Sequence, residues 1–185
     1  MNRYRVYKEA YNVYFSTSTI VEWLPVFTTD IYFNIIIDSL EYCQTNKGLN
    51  LIAYVIMPEH IHLVTSNLEE VNLSDIMRDF KRFTSQEISR QLEKDNKNLL
   101  LAVLERFAHK GKGNTEYKVW QDDFHPEVIY SETFLQQKID YIHYNPVRRG
   151  LISKPEDWPY SSARNYLSND ETIITVDKFL EKIYG

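Results

Sequence analysis

Leu51 to Val64 reads LIAYVIMPEHIHLV, an apolar and β-branched run broken once by Pro58-Glu59. Tyr54 to Met57 predicts one buried strand, Pro58-Glu59 a tight break, and His60 to Val64 the strand that pairs with it. Side chains two apart on a strand share a face, so His60 and His62 would leave one side of a sheet while Ile61 enters the core. This is a metal-ligand spacing. The competing reading is a pair of surface or hydrogen-bonded core histidines, as a lone His-x-His often is.

Outward from the hairpin the pattern alternates between sheet and helix. Upstream, Tyr11 to Ile20 is rich in β-branched and aromatic residues and predicts a strand. Trp23 to Phe27 reads as a packed loop. Thr28 to Asp30 supply a cap for a helix to about Asn46, with Ile31, Ile35, Leu40 and Cys43 near helical spacing and Lys47-Gly48 as its stop. Downstream, Asn72 or Ser74 opens a long helix to about Glu93. Its apolar stripe is Ile76, Phe80, Phe83, Ile88 and Leu92, with Arg78, Lys81, Arg82 and Arg90 on the other faces. Leu99 to Phe107 fits helix or strand and sits in an insertion that ends in a basic turn, His109 to Gly113. Val119 to Gln121 with Phe124 to Val128 would supply a last short strand. Strand, helix, strand, strand, helix, strand is the order of a ferredoxin-like α+β sheet with both helices on one face.

Chain length and composition bound the rest. The 185 residues, 43% hydrophobic, suffice for one domain with a full core, about 11–150, and a C-terminal extension, about 151–185. A single cysteine, Cys43, excludes an internal disulfide and suits a reducing compartment; the expected location is the cytoplasm. No stretch approaches the ~18 consecutive apolar residues of a membrane span. The net charge of −5 is unusual for a nucleic-acid partner, but it is unevenly spread. Arg3, Arg5 and Lys8 open the chain without a compensating acid, and residues 78–118 are basic overall. That distribution accommodates a basic groove, or simply solvated helix faces.

The second informative stretch is Ser131 to Gly150, SETFLQQKIDYIHYNPVRRG. Ser131 and Glu132 suit a helix start, and Pro146 with Gly150 marks the end. Leu135, Ile139 and Ile142 form the packing stripe, while Tyr141 and Asn145, four apart, project together on a neighbouring face. Taken alone, Tyr141 could as well cover the core with its ring and Asn145 serve as a C-cap. His143 is expected to be structural or solvent-facing, Glu59 a turn residue or a partner of a histidine. Trp158 to Ser162 is an aromatic knot expected to fold back on the core, and Thr172 to Ile183 an acidic, amphipathic end with a short helix.

Three ordered blocks, Met57-Pro58-Glu59-His60-Ile61-His62, then Asp140-Tyr141-Ile142 with Asn145-Pro146-Val147, then Asp157-Trp158-Pro159-Tyr160-Ser161-Ser162, resemble the single-tyrosine HUH transposases. Within them the similarity is to the REP-associated tyrosine transposase branch. The resemblance implies metal-assisted cleavage and rejoining of single-stranded DNA near hairpins through a 5′-phosphotyrosine. It implies His60, His62 and Asn145 as ligands of Mg²⁺ or Mn²⁺, and Tyr141 as nucleophile. Metal proximity or Lys138 would help a phenol whose ordinary pKa is about 10. Arg78, Lys81, Arg82, Lys110, Lys112, Arg148 and Arg149 are phosphate-contact candidates, and Trp120 or Phe124 candidates to stack on an unpaired base. No Gly-rich phosphate loop is present, and none is needed, because the covalent intermediate conserves the bond energy. One tyrosine per chain means that excision takes two sites, from a homodimer or from successive events. Two other functions fit less of the pattern: a domesticated, non-catalytic hairpin-DNA-binding protein, and a metal-dependent hydrolase that uses water.

Overall fold

The computed structural model describes residues 13–67, 71–109, 115–122, 124–168, 170 and 173–177. Lys110 and Lys112, the Arg3-Arg5-Lys8 cluster, and most of the expected Thr172 to Ile183 helix lie outside them. The elements run β1 (Val13–Thr19), α1 (Asp30–Lys47), β2 (Leu49–Ile56), β3 (His60–Asn67), α2 (Leu73–Lys94), α3 (Asn98–His109), β4 (Glu127–Ile129), α4 (Glu132–Arg148) and α5 (Ala163–Leu167). The four strands form an antiparallel sheet in the order β2-β3-β1-β4. This is the ferredoxin-like arrangement.

Local chemistry accounts for most boundaries. Gly48 closes α1 in the left-handed region, φ 71°, donating its N–H to Cys43 O. The Asn72 side chain accepts from Ser74 N at 2.9 Å and opens α2. Ser131 does the same for α4, accepting from Phe134 N at 3.2 Å. The break at Pro58-Glu59 turns β2 into β3, and Met57 N donates to His60 O at 2.8 Å. A bulge between Leu51 and Ala53 lets Leu51 and Tyr54 point to one face while Ile52 and Ala53 serve the other.

Each face of the sheet carries its own core. On one, α1 and α2 bury Ile36, Leu40, Phe80 and Ile88 against Tyr54, Ile61 and Leu63, as expected of the two ferredoxin-like helices. On the other, α4 packs Leu135, Ile139 and Ile142 on Val13, Val55 and Val64. His60 and His62 belong to this second face, under α4.

Several details correct the sequence reading. Ile31 and Phe83 are each 52% exposed. The buried positions are instead Tyr32, Phe33, Ile36, Ile37, Leu40 and Cys43 in α1, and Leu73, Ile76, Met77, Phe80, Thr84, Ile88 and Leu92 in α2. In each helix one apolar residue falls beside the stripe, not on it. The insertion is a helix, α3, burying Leu101 and Leu104 against the first core. The last strand is only Glu127–Ile129, and Trp120 contributes a single isolated bridge to Ile20.

The aromatic knot does fold back, and it seals the open edge of β2. Ile56 N donates to Tyr160 O, Ser162 N to Tyr54 O, Trp158 Nε1 to Ile56 O and Tyr166 Oη to Ile52 O, at 2.7–3.0 Å. Those backbone groups would otherwise form an unpaired strand edge. The acidic end is neither helix nor strand over the described residues 173–177, and Asp177 N donates to Leu51 O.

Candidate functional site

The site is two parallel rows of side chains, one from the sheet and one from α4. The register pairs Thr17 with His62 and Thr19 with His60, so Phe15, Thr17, His62 and His60 share the face under the helix. Above them, Lys138, Tyr141, Asn145 and Arg149 recur at three- and four-residue steps, one per turn along the helix. The upper row meets the lower at both ends. The Tyr141 ring lies 5.2 Å, centroid to centroid, from His62 and 6.0 Å edge-on from Phe15. Arg149 reaches Glu59, the neighbour of His60. Asn145 therefore sits between the two contacts.

The histidines are closely packed on every side. Both are buried, their ring centroids 4.6 Å apart. Thr17 Oγ1 engages His62 Nδ1 at 2.8 Å, and Phe15 stacks on the ring at 5.4 Å, leaving Nε2 as the nitrogen without that bond. His60 Nδ1 lies 3.3 Å from Glu59 Oε1, within ion-pair range but short of hydrogen-bond alignment, and Trp23 packs edge-on at 5.6 Å. Burial, reinforced by His60 and the Lys138 ammonium, pushes the His62 pKa down to about 3. Burial likewise lowers that of His60; Glu59 opposes the shift and Arg149 adds to it. Two neutral imidazoles result, which is the ligand form.

Asn145 supplies the test of whether these residues suit a cation. It is 7% exposed, and its Oδ1 is buried without a hydrogen-bond partner. A buried amide oxygen left unpaired costs about 1–3 kcal/mol, so an electron-pair acceptor at that point would be stabilising. Two imidazoles and one amide oxygen fit a borderline divalent ion with several open positions. Among the described residues no group of three or more His, Cys, Asp or Glu forms a metal cluster, so this mixed set is the candidate.

Tyr141 is 41% exposed, open to solvent on one side and packed on His62 on the other. The cation beside it is not Lys138. That ammonium bonds Glu127 at 2.6 Å and lies over the Phe15 and Phe134 rings. Arg148 instead donates to Tyr141 O at 3.0 Å, with its guanidinium 5.2 Å above the ring centroid. Tyr144 is exposed on the outer side of α4, while His143 is buried and bonded to Ser162 Oγ at 2.8 Å, a structural tie between α4 and the C-terminal knot.

The remaining candidates are not brought to this site. Trp120 is 4% exposed, its Nε1 donating to Thr84 Oγ1 at 2.9 Å; it is a core residue, and its stacking role is withdrawn. Arg78, Lys81 and Arg82 line a groove of about 1080 Å³ between α2 and residues 115–122, 124 and 125, and α2 packs on the opposite sheet face. Arg78 pairs with Asp75 at 2.6 Å and Arg82 with Asp79 at 3.3 Å, exposed pairs of little energetic weight that a phosphate could replace. The sequence reading treated Glu59 most simply as a turn residue and did not anticipate Phe15, Thr17 or Trp23. Only the β1–β3 register and the helix docking reveal them.

Burial of uncharged histidines has a consequence for stability. Burial also pushes His143 down to about 4, with Asp140 opposing. Unfolded, both His62 and His143 would titrate near 6.5, so between pH 6.5 and about 4 the unfolded chain binds more protons. Stability is then fully present above pH 6.5 and falls as pH drops, by up to ~1.4 kcal/mol per pH unit for each histidine. Chemical denaturation of the metal-free protein from pH 7.5 to 5 is expected to show this loss, and His143→Gln to flatten it. A slope that the substitution leaves untouched would remove His143 from this account.

A family described as IS200-like transposases matches residues 24–107, which include the histidine pair but not α4. A Haemophilus influenzae protein provisionally named a REP-associated tyrosine transposase is 27% identical over 163 residues, covering 88% of this chain and 85% of its own. The Escherichia coli K12 REP-associated tyrosine transposase is 24% identical over 121 residues, 64% of this chain and 57% of that one. A solved REP-associated tyrosine transposase, bound to a REP hairpin, superposes with a TM-score of 0.61 at 21% identity, covering 96% of this chain and 93% of the other. At that identity the likeness concerns the fold. No helix among the described residues is long and apolar enough to cross a membrane.

Proposed function

We propose, from the chain's similarity to the IS200-like and REP-associated tyrosine transposases, that it cleaves and rejoins single-stranded DNA beside a hairpin, with Tyr141 as nucleophile. The observation that carries this reading is the packing of a half-exposed tyrosine on a buried, neutral His62, one helical turn before an amide oxygen without a partner. A structural tyrosine needs neither neighbour. A hairpin as substrate is supported by the ligand of the structurally similar relative.

The chain's residues divide the work. The Tyr141 hydroxyl oxygen attacks the scissile phosphorus, the bond from phosphorus to the 3′-oxygen breaks, and the 5′ end stays on the tyrosine as a phosphodiester. The tyrosine proton leaves on the solvent side, and the departing strand end takes up a proton as it becomes a 3′-OH. Arg148, over the ring and bonded to Tyr141 O, holds the tyrosine side chain in place. The helix fixes Tyr141 against the sheet and so prepays the entropy of orienting nucleophile and phosphate. Mg²⁺ or Mn²⁺ held by His60, His62 and Asn145 would supply Lewis-acid polarisation of the phosphoryl oxygen. Reversal by a second 3′-OH rejoins the strand, and two chains or two successive events complete an excision.

Incubation with labelled single-stranded hairpin DNA, in Mg²⁺ or Mn²⁺ and in EDTA, followed by denaturing electrophoresis, tests the proposal. A metal-dependent protein–DNA band is expected. Nicking with no such band would replace tyrosine transfer with hydrolysis by water. Hairpin binding with neither product would leave a DNA-binding descendant of the family.

A further inference from the structure

Glu59 stands at the hairpin reversal beside the histidine pair. A carboxylate at a hairpin reversal is ordinarily solvated, yet this one is 5% exposed. Its Oε1 accepts from Arg149 Nη2 at 2.5 Å and stands 3.3 Å from His60 Nδ1. Its backbone is tied as well, Glu59 O accepting from Ile20 N at 2.9 Å. Arg149 caps α4, its own N–H donating to Asn145 O at 3.1 Å. Ninety residues of sequence separate the two partners, and the pair joins the histidine hairpin to the end of the tyrosine helix.

Burying a carboxylate beside an imidazole is costly without a cation to pair it. A role in folding alone would be served at least as well by an apolar pair of similar volume. The position suggests something more specific. A carboxylate facing Nδ1 stabilises the tautomer with its proton there, which turns the Nε2 lone pair outward. Arg149 fixes where that carboxylate points, and through its cap bond it fixes the last turn of α4, which carries Asn145.

We infer that Glu59 and Arg149 form a positioning clamp that sets the His60 tautomer and ring direction and locks the tyrosine helix over the histidine pair. This rests on the proposed reading of His60 as a ligand. Arg149 is on this account a positioning residue and not a free phosphate contact. Its side chain is half exposed, but its charge is committed to Glu59.

Two measurements on the full chain separate the clamp from the metal reading. The first is the His60 tautomer in the metal-free protein, from nitrogen-15 NMR of the imidazoles. The second is Mn²⁺ affinity by calorimetry. In the wild type His60 is expected to carry its proton on Nδ1. In Glu59→Leu that preference is expected to be lost and Mn²⁺ binding to weaken by about 10- to 100-fold, the usual cost of losing a residue that orients a ligand. Glu59→Gln, which keeps an acceptor, should restore most of the tautomer preference if the leucine variant folds poorly. Arg149→Met should weaken Mn²⁺ binding too, and the Glu59→Leu/Arg149→Met double variant should be no worse than Glu59→Leu alone. Unchanged tautomer and affinity within twofold in folded Glu59→Leu and Arg149→Met would overturn the clamp. Independent, additive losses in the double variant would overturn it as well. If the wild type shows the tautomer preference and Glu59→Leu loses it, yet neither binds Mn²⁺, the clamp stands and the metal reading fails.

Discussion

Tyr141→Phe is expected to abolish the covalent protein–DNA product while leaving hairpin affinity and stability nearly unchanged. The change removes one oxygen from a ring that is 41% exposed, and among the described residues no hydrogen bond of that hydroxyl is lost with it. The ring keeps its contacts to His62, Phe15 and Arg148, so the helix has no reason to move. Only the nucleophile disappears. Denaturing electrophoresis with labelled hairpin DNA, alongside a binding isotherm at fixed salt, checks both halves of the expectation; salt must be fixed because phosphate contacts make affinity ionic-strength dependent. A second tyrosine as nucleophile would show as a residual adduct. Tyr144, on the next turn and half exposed, is the candidate to map in that event. Strand nicking that persists without any adduct would point to water as the attacking group.

The sequence disclosed the site unevenly, and the reason is physical. His60 and His62 were legible because strand periodicity is strict and Pro58-Glu59 fixes where the strand begins. Tyr141 and Asn145 were legible as a pair because four residues make one helical step. The β-α-β-β-α-β order followed from caps and breaks that the structure bears out at Gly48, Asn72 and Ser131. What periodicity cannot carry is the contact between elements distant in the chain. Thr17 beneath His62 is a matter of strand register, and Glu59 under Arg149 of helix docking. Trp120 was misjudged for a related reason. An aromatic residue in a short, polar-flanked segment looks available to a base, and only tertiary packing against Phe80 and Thr84 shows it buried. Lys138, one of the two aids to the phenol that the sequence offered beside metal proximity, is instead paired with Glu127 on β4, a contact between distant elements that helix spacing does not reveal.

The histidine pair allows a second large effect to be separated into chemistry and stability. His62→Ala is expected to weaken Mn²⁺ binding by at least ~100-fold, since even residues that only orient a ligand are worth 10–100-fold, and to reduce the DNA adduct correspondingly. It also leaves the Thr17 hydroxyl without its 2.8 Å partner and opens a space between Phe15 and Tyr141. That structural penalty should be about 1–3 kcal/mol at pH 7.5, read from chemical denaturation without metal. The penalty should shrink as pH falls. Wild-type His62 is uncharged down to about pH 3, whereas the unfolded histidine takes up a proton near 6.5, so acid destabilises the wild type through a group the variant lacks. The two stability curves are therefore expected to converge between pH 7.5 and 5 while the metal-binding defect persists. Asn145→Ala makes the contrast. Its amide oxygen has no partner to lose, so its removal should cost little stability in the metal-free protein and should reveal itself chiefly in Mn²⁺ affinity. If Asn145→Ala instead destabilises the metal-free chain as much as His62→Ala and binds Mn²⁺ normally, Asn145 belongs to the helix end and not to the ligand set.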